Sequence, residues 1–109
     1  MTCPVVIVGF PPAASCPPEK TWRAAAGRVA RRLHARFGDA VAVAYADFLS
    51  PEIGAHGDVE ARIAAGGLVP PVVMVDGAIL SSGGKLNVSA IERAVAAALA
   101  GPVGVGTDG

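Results

Sequence analysis

Val5-Val6-Ile7-Val8 is apolar at every position. A β-branched run without polar alternation suits a strand buried on both faces, as the centre of a helix-flanked sheet requires. Gly9 to Pro18, with one glycine and four prolines, then predicts a loop. From about Glu19 to Phe37 the period changes. Trp22, Ala26, Val29, Leu33 and Phe37 recur at three- and four-residue steps, so one apolar stripe and a long amphipathic helix are expected. Gly38 is its natural stop, and His34 and Arg36 in the last turn complement the helix dipole. Ala40 to Phe48 alternates alanine with larger residues and predicts a second strand. The helical crossover makes it parallel to the first, in a right-handed βαβ unit.

Ser50-Pro51-Glu52 combines a capping serine with a first-turn proline, a helix start that Gly54 and Gly57 interrupt. Asp58 to Ala65 predicts a second, short helix with Asp58 as its cap, closed by Gly66-Gly67. The stretch from Leu68 to Gly84 is the most specific in the chain. Val72 to Val75 is a run of strand formers, Asp76-Gly77 is a two-residue hairpin turn, and Ala78-Ile79-Leu80 resumes the pairing. Pro70 and Pro71 stand just before the first of these strands, where a proline removes no ladder hydrogen bond. Asn87 is the expected cap of a last helix with the stripe Val88, Ile91, Val95 and Leu99. The element order is therefore βαβα followed by ββα. It implies an α/β chain with a four-stranded mixed sheet, order 2-1-3-4, and helices on both faces. One domain is expected over residues 1–100, with a flexible tail at 101–109.

Composition narrows the function classes. The 109 residues carry a formal net charge of zero and are 52% apolar, which favours a compact fold and offers no general attraction to nucleic acid or to an anionic membrane. No apolar run is long enough for a membrane-spanning helix, and the start MTCPVVIV lacks the basic region of a signal peptide, so a cytoplasmic location is expected. Arg23, Arg28, Arg31 and Arg32 spread over the arc of the first helix opposite its apolar stripe. They predict a solvated face with acidic partners on other elements or another subunit, not a nucleic-acid surface. Cys3 and Cys16 are the only cysteines, fewer than a disulfide framework or a structural zinc site needs.

The element order, the proline opening the third strand and a cysteine loop after the first strand resemble the thioredoxin fold over nearly the whole chain. More narrowly, Ala14-Ser15-Cys16, the following Lys20-Thr21 and PVVMVDG from Pro71 to Gly77 resemble small bacterial thioredoxin-like proteins of the YuzD type. The PVVMVDG stretch is also similar to the arsenic metallochaperone ArsD. The resemblance implies that Pro71 is the cis proline of such folds and Pro70 its trans neighbour. It also implies that the edge formed by Val69, Pro70 and Pro71 receives an extended peptide or glutathione. The chain departs from the pattern at Ala13, which stands where the first cysteine of C-x-x-C is found in those proteins. The neighbouring cysteines of an ArsD-type site are also missing.

Cys16 is consequently the one candidate nucleophile. The dipole of the first helix and Lys20 would lower its pKa, while Pro17 and Pro18 lack N–H donors and Glu19 adds a like charge, so weak activation is expected. His34, on the flank of the first helix, and His56, in a glycine-bounded loop, are expected at the surface. Met74 is expected in the core, and Gly83-Gly84-Lys85 lacks the rest of a phosphate loop. No cofactor is implied. The function expected is that of a non-catalytic protein-interaction or homodimeric module. A monothiol oxidoreductase or glutathione-linked carrier using Cys16 is the alternative, and metal or metalloid carriage the second.

Overall fold

A computed structural model describes residues 2–10, 21–48, 51–84 and 86–107. The apolar run near the amino terminus forms β1 (Cys3–Gly9), and it lies inside the sheet. On one side it pairs in parallel with β2 (Val41–Asp47), Val5 opposite Val43 and Gly9 opposite Asp47. On the other it pairs antiparallel with β3 (Val72–Val75), Val5 opposite Val75 and Val8 opposite Val72. β4 (Ala78–Ser82) closes the sheet as an antiparallel edge, giving the order 2-1-3-4 expected from the sequence. The turn between β3 and β4 is Asp76-Gly77. Both residues have positive φ, 53° and 85°, as the primed two-residue turns require. Between Val73↔Ser81 and Met74↔Ile79 the register shifts by one, leaving Leu80 as a bulge on the exposed edge.

Three α-helices cover the sheet: α1 (Trp22–Phe37), α2 (Gly57–Ala64) and α3 (Val88–Thr107). Alternation along β1 divides its side chains between two cores. Cys3, Val5 and Ile7 pack with Ala26, Val29 and Leu33 of α1 and with Ile91 and Val95 of α3. Val8 instead joins Ala46 and Val72 against Val59 and Ile63 of α2, Ile53 and Leu68. Ile53 belongs to a 3-10 segment, Pro51–His56, that runs directly into α2.

The helix ends both match and depart from expectation. Gly38 terminates α1 with φ 61°, its N–H donating to the carbonyl of His34. The Asn87 side chain caps α3, accepting from the Ala90 N–H at 3.0 Å. Two starts differ. α1 begins at Trp22, not near Glu19, because Thr21 is extended and its hydroxyl takes the Ala24 N–H at 3.0 Å. Asp58 is not the cap of α2. The helix begins one residue earlier, straight out of the 3-10 segment, with His56 in the cap position and no side-chain cap bond, so Asp58 sits in the first turn, where its charge meets the dipole. Helical backbone in α3 continues past Leu99, the last apolar position of the expected stripe.

The basic face of α1 finds acidic partners on two other elements. Arg32 Nε lies 3.1 Å and Arg36 3.5 Å from the Glu92 carboxylate of α3, which is itself buried. Arg23 reaches Asp47 at the end of β2. Among the described residues no helix is long and apolar enough to cross a membrane.

Candidate functional site

The carboxyl ends of the two parallel strands meet the amino end of α1, and the polar groups gather there. Gly9 ends β1 opposite Asp47, and the Phe48 N–H extends the pairing by donating to the Gly9 carbonyl at 2.6 Å. Phe10 and Phe48 follow as an edge-to-face pair, centroids 6.1 Å apart and planes at 80°. Alternation puts Tyr45 and Asp47 on the same face of β2, the face that α1 covers. The Tyr45 hydroxyl donates to Asp47 Oδ1, and Arg23 Nη2 donates to Asp47 Oδ2 at 3.2 Å. The Arg23 guanidinium also lies over the Tyr45 ring, 4.8 Å from its centroid. A carboxylate that is 9% exposed at the end of β2 is thus held by two donors, Tyr45 from its own strand and Arg23 from the first turn of α1.

Gly9 is what permits this approach. A Cβ at that position would lie 2.7 Å from Trp22 Cβ and would strike the Tyr45 hydroxyl. The requirement is one of space, since side-chain atoms of α1 and β2 close over the strand end.

On the other side of β1, continuing the Val8↔Val72 pairing by one rung places Pro71 beside Gly9. Pro70 and Pro71 are both buried, and the peptide bond between them is cis. Val69 is 57% exposed between buried Leu68 and Pro70. Its backbone is engaged: the Val69 N–H donates to Ser82 Oγ at 2.7 Å, and the Ser82 hydroxyl donates to the Val69 carbonyl at 3.2 Å. The Gly83 N–H, next along the chain, donates to the Pro71 carbonyl at 3.0 Å.

Cys3 lies at the opposite end of β1, 3% exposed. Burial, and secondarily the Asp76 carboxylate, push its thiol above the ordinary cysteine range. At about 3.3 Å per residue, the strand separates it from the Gly9 end by roughly 20 Å. Cys16, with Ala13, Pro17, Pro18 and Lys20, lies outside the described residues.

His34 is exposed, with Nδ1 3.1 Å from the Gly38 carbonyl. His56 is half-buried and lines an open pocket of about 300 Å³ with Asp58, Val59 and Met74. Met74 itself packs against the α2-side core. Among the described residues no three His, Cys, Asp or Glu side chains are grouped to hold a metal ion.

The Arg23–Tyr45–Asp47 cluster and Ser82 were not anticipated from the sequence. One signal was present: Tyr45 and Asp47, two apart on an otherwise apolar strand, share a face and break the alanine alternation at its carboxyl end.

No protein-family model matches the chain, and no curated protein matches it. A solved structure does: the crystal structure of a protein of unknown function from Staphylococcus aureus superposes with a TM-score of 0.69 at 17% identity, covering 93% of this chain and 94% of that one. At such identity the likeness shows the fold. The α/β arrangement with a four-stranded mixed sheet is shared by a second protein across almost its full length.

Proposed function

We propose that this chain is a thioredoxin-like protein acting as a non-catalytic interaction module, and that it lacks the paired thiols of a disulfide oxidoreductase. Three features support the reading: the sheet order 2-1-3-4, a third strand entered through Pro71, and a first helix that starts beside the carboxyl end of β1. The observation that carries the non-catalytic part is the position of Cys3. A dithiol mechanism needs two sulfurs within about 7 Å between their Cα atoms. Cys3 is buried at the amino end of the strand whose other end adjoins Pro71, and burial, then Asp76, push its thiol above the ordinary cysteine range. Any thiol chemistry away from that buried strand end therefore has only Cys16 to draw on. With the Arg23–Asp47 pair tied internally, the edge presents the exposed side chains of Val69 and Phe10 to a protein partner.

The test is reduction of insulin disulfides by dithiothreitol in the presence of the protein. The reading predicts no acceleration over reductant alone. Turnover by the wild type that disappears in Cys16→Ser would sink it in favour of monothiol chemistry. Homodimerisation belongs to the same proposal and rests on the β2 edge, where Ala42 and Ala44 are exposed beside backbone that no other strand covers among the described residues. Light scattering that finds a monomer at working concentration removes that part and leaves the rest.

A further inference from the structure

The side of α3 turned towards β4 is built of alanines. Ala94 and Ala98, one helical turn apart, are half-buried, and Ala97 beside them is exposed. Side chains this short do not reach the hairpin, and an open groove of about 390 Å³ remains between them and Ala78 and Leu80 of β4. One charged side chain lines it, that of Asp76. A smaller hollow of about 60 Å³ shares Asp76 and Ala98 with the groove and ends on Cys3. The carboxylate therefore stands where two apolar spaces meet. No cation among the described residues pairs with it. Arg93, which precedes these alanines, points about 100° further round the helix from Ala94 and is not part of the lining. Nor does the fold need the charge: the turn requires a residue that tolerates positive φ at position 76, and asparagine serves there as well as aspartate.

We propose that this groove binds a small organic monocation, a linear apolar chain ending in a primary ammonium, with the chain laid along Ala94, Ala97 and Ala98 and the ammonium on Asp76. The ligand class follows from the lining. The volume falls in the range of small-molecule sites, and the walls are apolar with one polar group to fix orientation. Ala94 to Ala98 spans roughly 6 Å along the helix axis, enough for a chain of about five or six carbons. A neutral chain seated there would take water from the carboxylate and give it no partner, and an acidic one would bring a like charge against it. An ammonium supplies the missing partner. The Asp76 N–H donates to the Pro4 carbonyl, so the site lies at the amino end of β1, away from Phe10 and Pro71. It is therefore separate from the edge of the interaction-module reading and does not depend on it.

The experiment titrates n-hexylammonium into the isotope-labelled protein and follows amide chemical shifts by NMR, with hexanoate as the same chain carrying the opposite charge. The wild type should bind the amine with a dissociation constant on the order of millimolar, with the shifts gathered on the hairpin turn and on α3 from Ala94 to Ala98. Hexanoate should not bind. Asp76→Asn keeps the turn and removes the charge, and should weaken the amine about three- to fivefold, the worth of an exposed ion pair. Ala97→Leu narrows the groove from the exposed surface of α3 and should weaken the amine while leaving Tm unchanged. Equal binding of amine and hexanoate, or an Asp76→Asn protein that holds the amine as tightly as wild type, would show that the carboxylate selects nothing and would overturn the proposal. Shifts spread over the whole surface without saturation, or an Ala97→Leu protein that binds like wild type, would remove the groove as the site and overturn it too. None of these results bears on the interaction-module reading, whose test lies at the other end of β1.

Discussion

Replacing Gly9 with alanine tests whether the strand end is closed over as described. The added methyl would lie 2.7 Å from Trp22 Cβ and against the Tyr45 hydroxyl, both well inside van der Waals contact. The hydroxyl can swing aside with the Tyr45 side chain, but the Trp22 Cβ belongs to the first residue of α1 and moves only with the helix. Overpacking of this kind costs about 1–3 kcal/mol. Gly9→Ala should therefore destabilise by about 2 kcal/mol, lowering Tm by roughly 10 °C in a domain of this size. Urea and thermal denaturation followed by circular dichroism would measure it. A double-mutant cycle separates the two clashes. In a Tyr45→Phe background the hydroxyl contact is gone and the tryptophan contact remains, so Gly9→Ala should cost about 1 kcal/mol less there without becoming neutral. A Gly9→Ala protein within about 0.5 kcal/mol of wild type would refute the close approach of α1 to β1 and the cluster built on it.

Two further predictions follow from buried groups. Glu92 is 8% exposed while the side chains of Arg32 and Arg36 are 65% and 53% exposed, so the two sides of this ion pair are unequal. Replacing both arginines with alanine strands a carboxylate and should cost about 1–3 kcal/mol, whereas Glu92→Ala returns two guanidinium groups to water and should cost less; denaturant midpoints showing the reverse order would contradict this. The Cys3 thiol is raised by burial and by Asp76 above its unfolded value, so the folded protein keeps the proton longer than the unfolded chain. Its contribution is complete below the unfolded pKa of about 8.5 and is lost as pH rises from there through the folded pKa, with a slope of up to about 1.4 kcal/mol per pH unit. The wild type should lose stability more steeply than Cys3→Ala between pH 8 and 10, and parallel curves would contradict the assignment.

The parts of the fold legible in the sequence are those decided by one or two residues. Asp76-Gly77 adopts the positive φ pair its turn demands, Gly38 stops α1, and Asn87 caps α3, each through bonds within a few residues. Periodicity located the buried stripes for the same reason, since Ala26, Val29 and Leu33 report a helix face wherever the helix lies. Helix starts were harder. Thr21 and Glu19 both stand near the onset of the pattern, and only backbone geometry selects the threonine as cap. Asp58 has the chemistry of a cap, but the 3-10 segment before it leaves no extended residue for that role. The site was the least legible part. Arg23 and Asp47 are 24 residues apart and meet only because β1 and β2 are in register and α1 returns over them. Ser82 meets Val69 only because β4 ends where it does.

The pH dependence of alkylation of both cysteines in the native protein tests the central claim most directly. The account predicts that Cys3 stays unreactive towards iodoacetamide until the fold is lost, because it is buried and its thiol is raised. Cys16 should alkylate as a single, ordinary thiol, with the pH profile of free cysteine in the same assay. A Cys16 that alkylates as a thiolate at a pH well below that of free cysteine, or a native Cys3 that reacts alongside it, would contradict the account and point to a thiol-based activity.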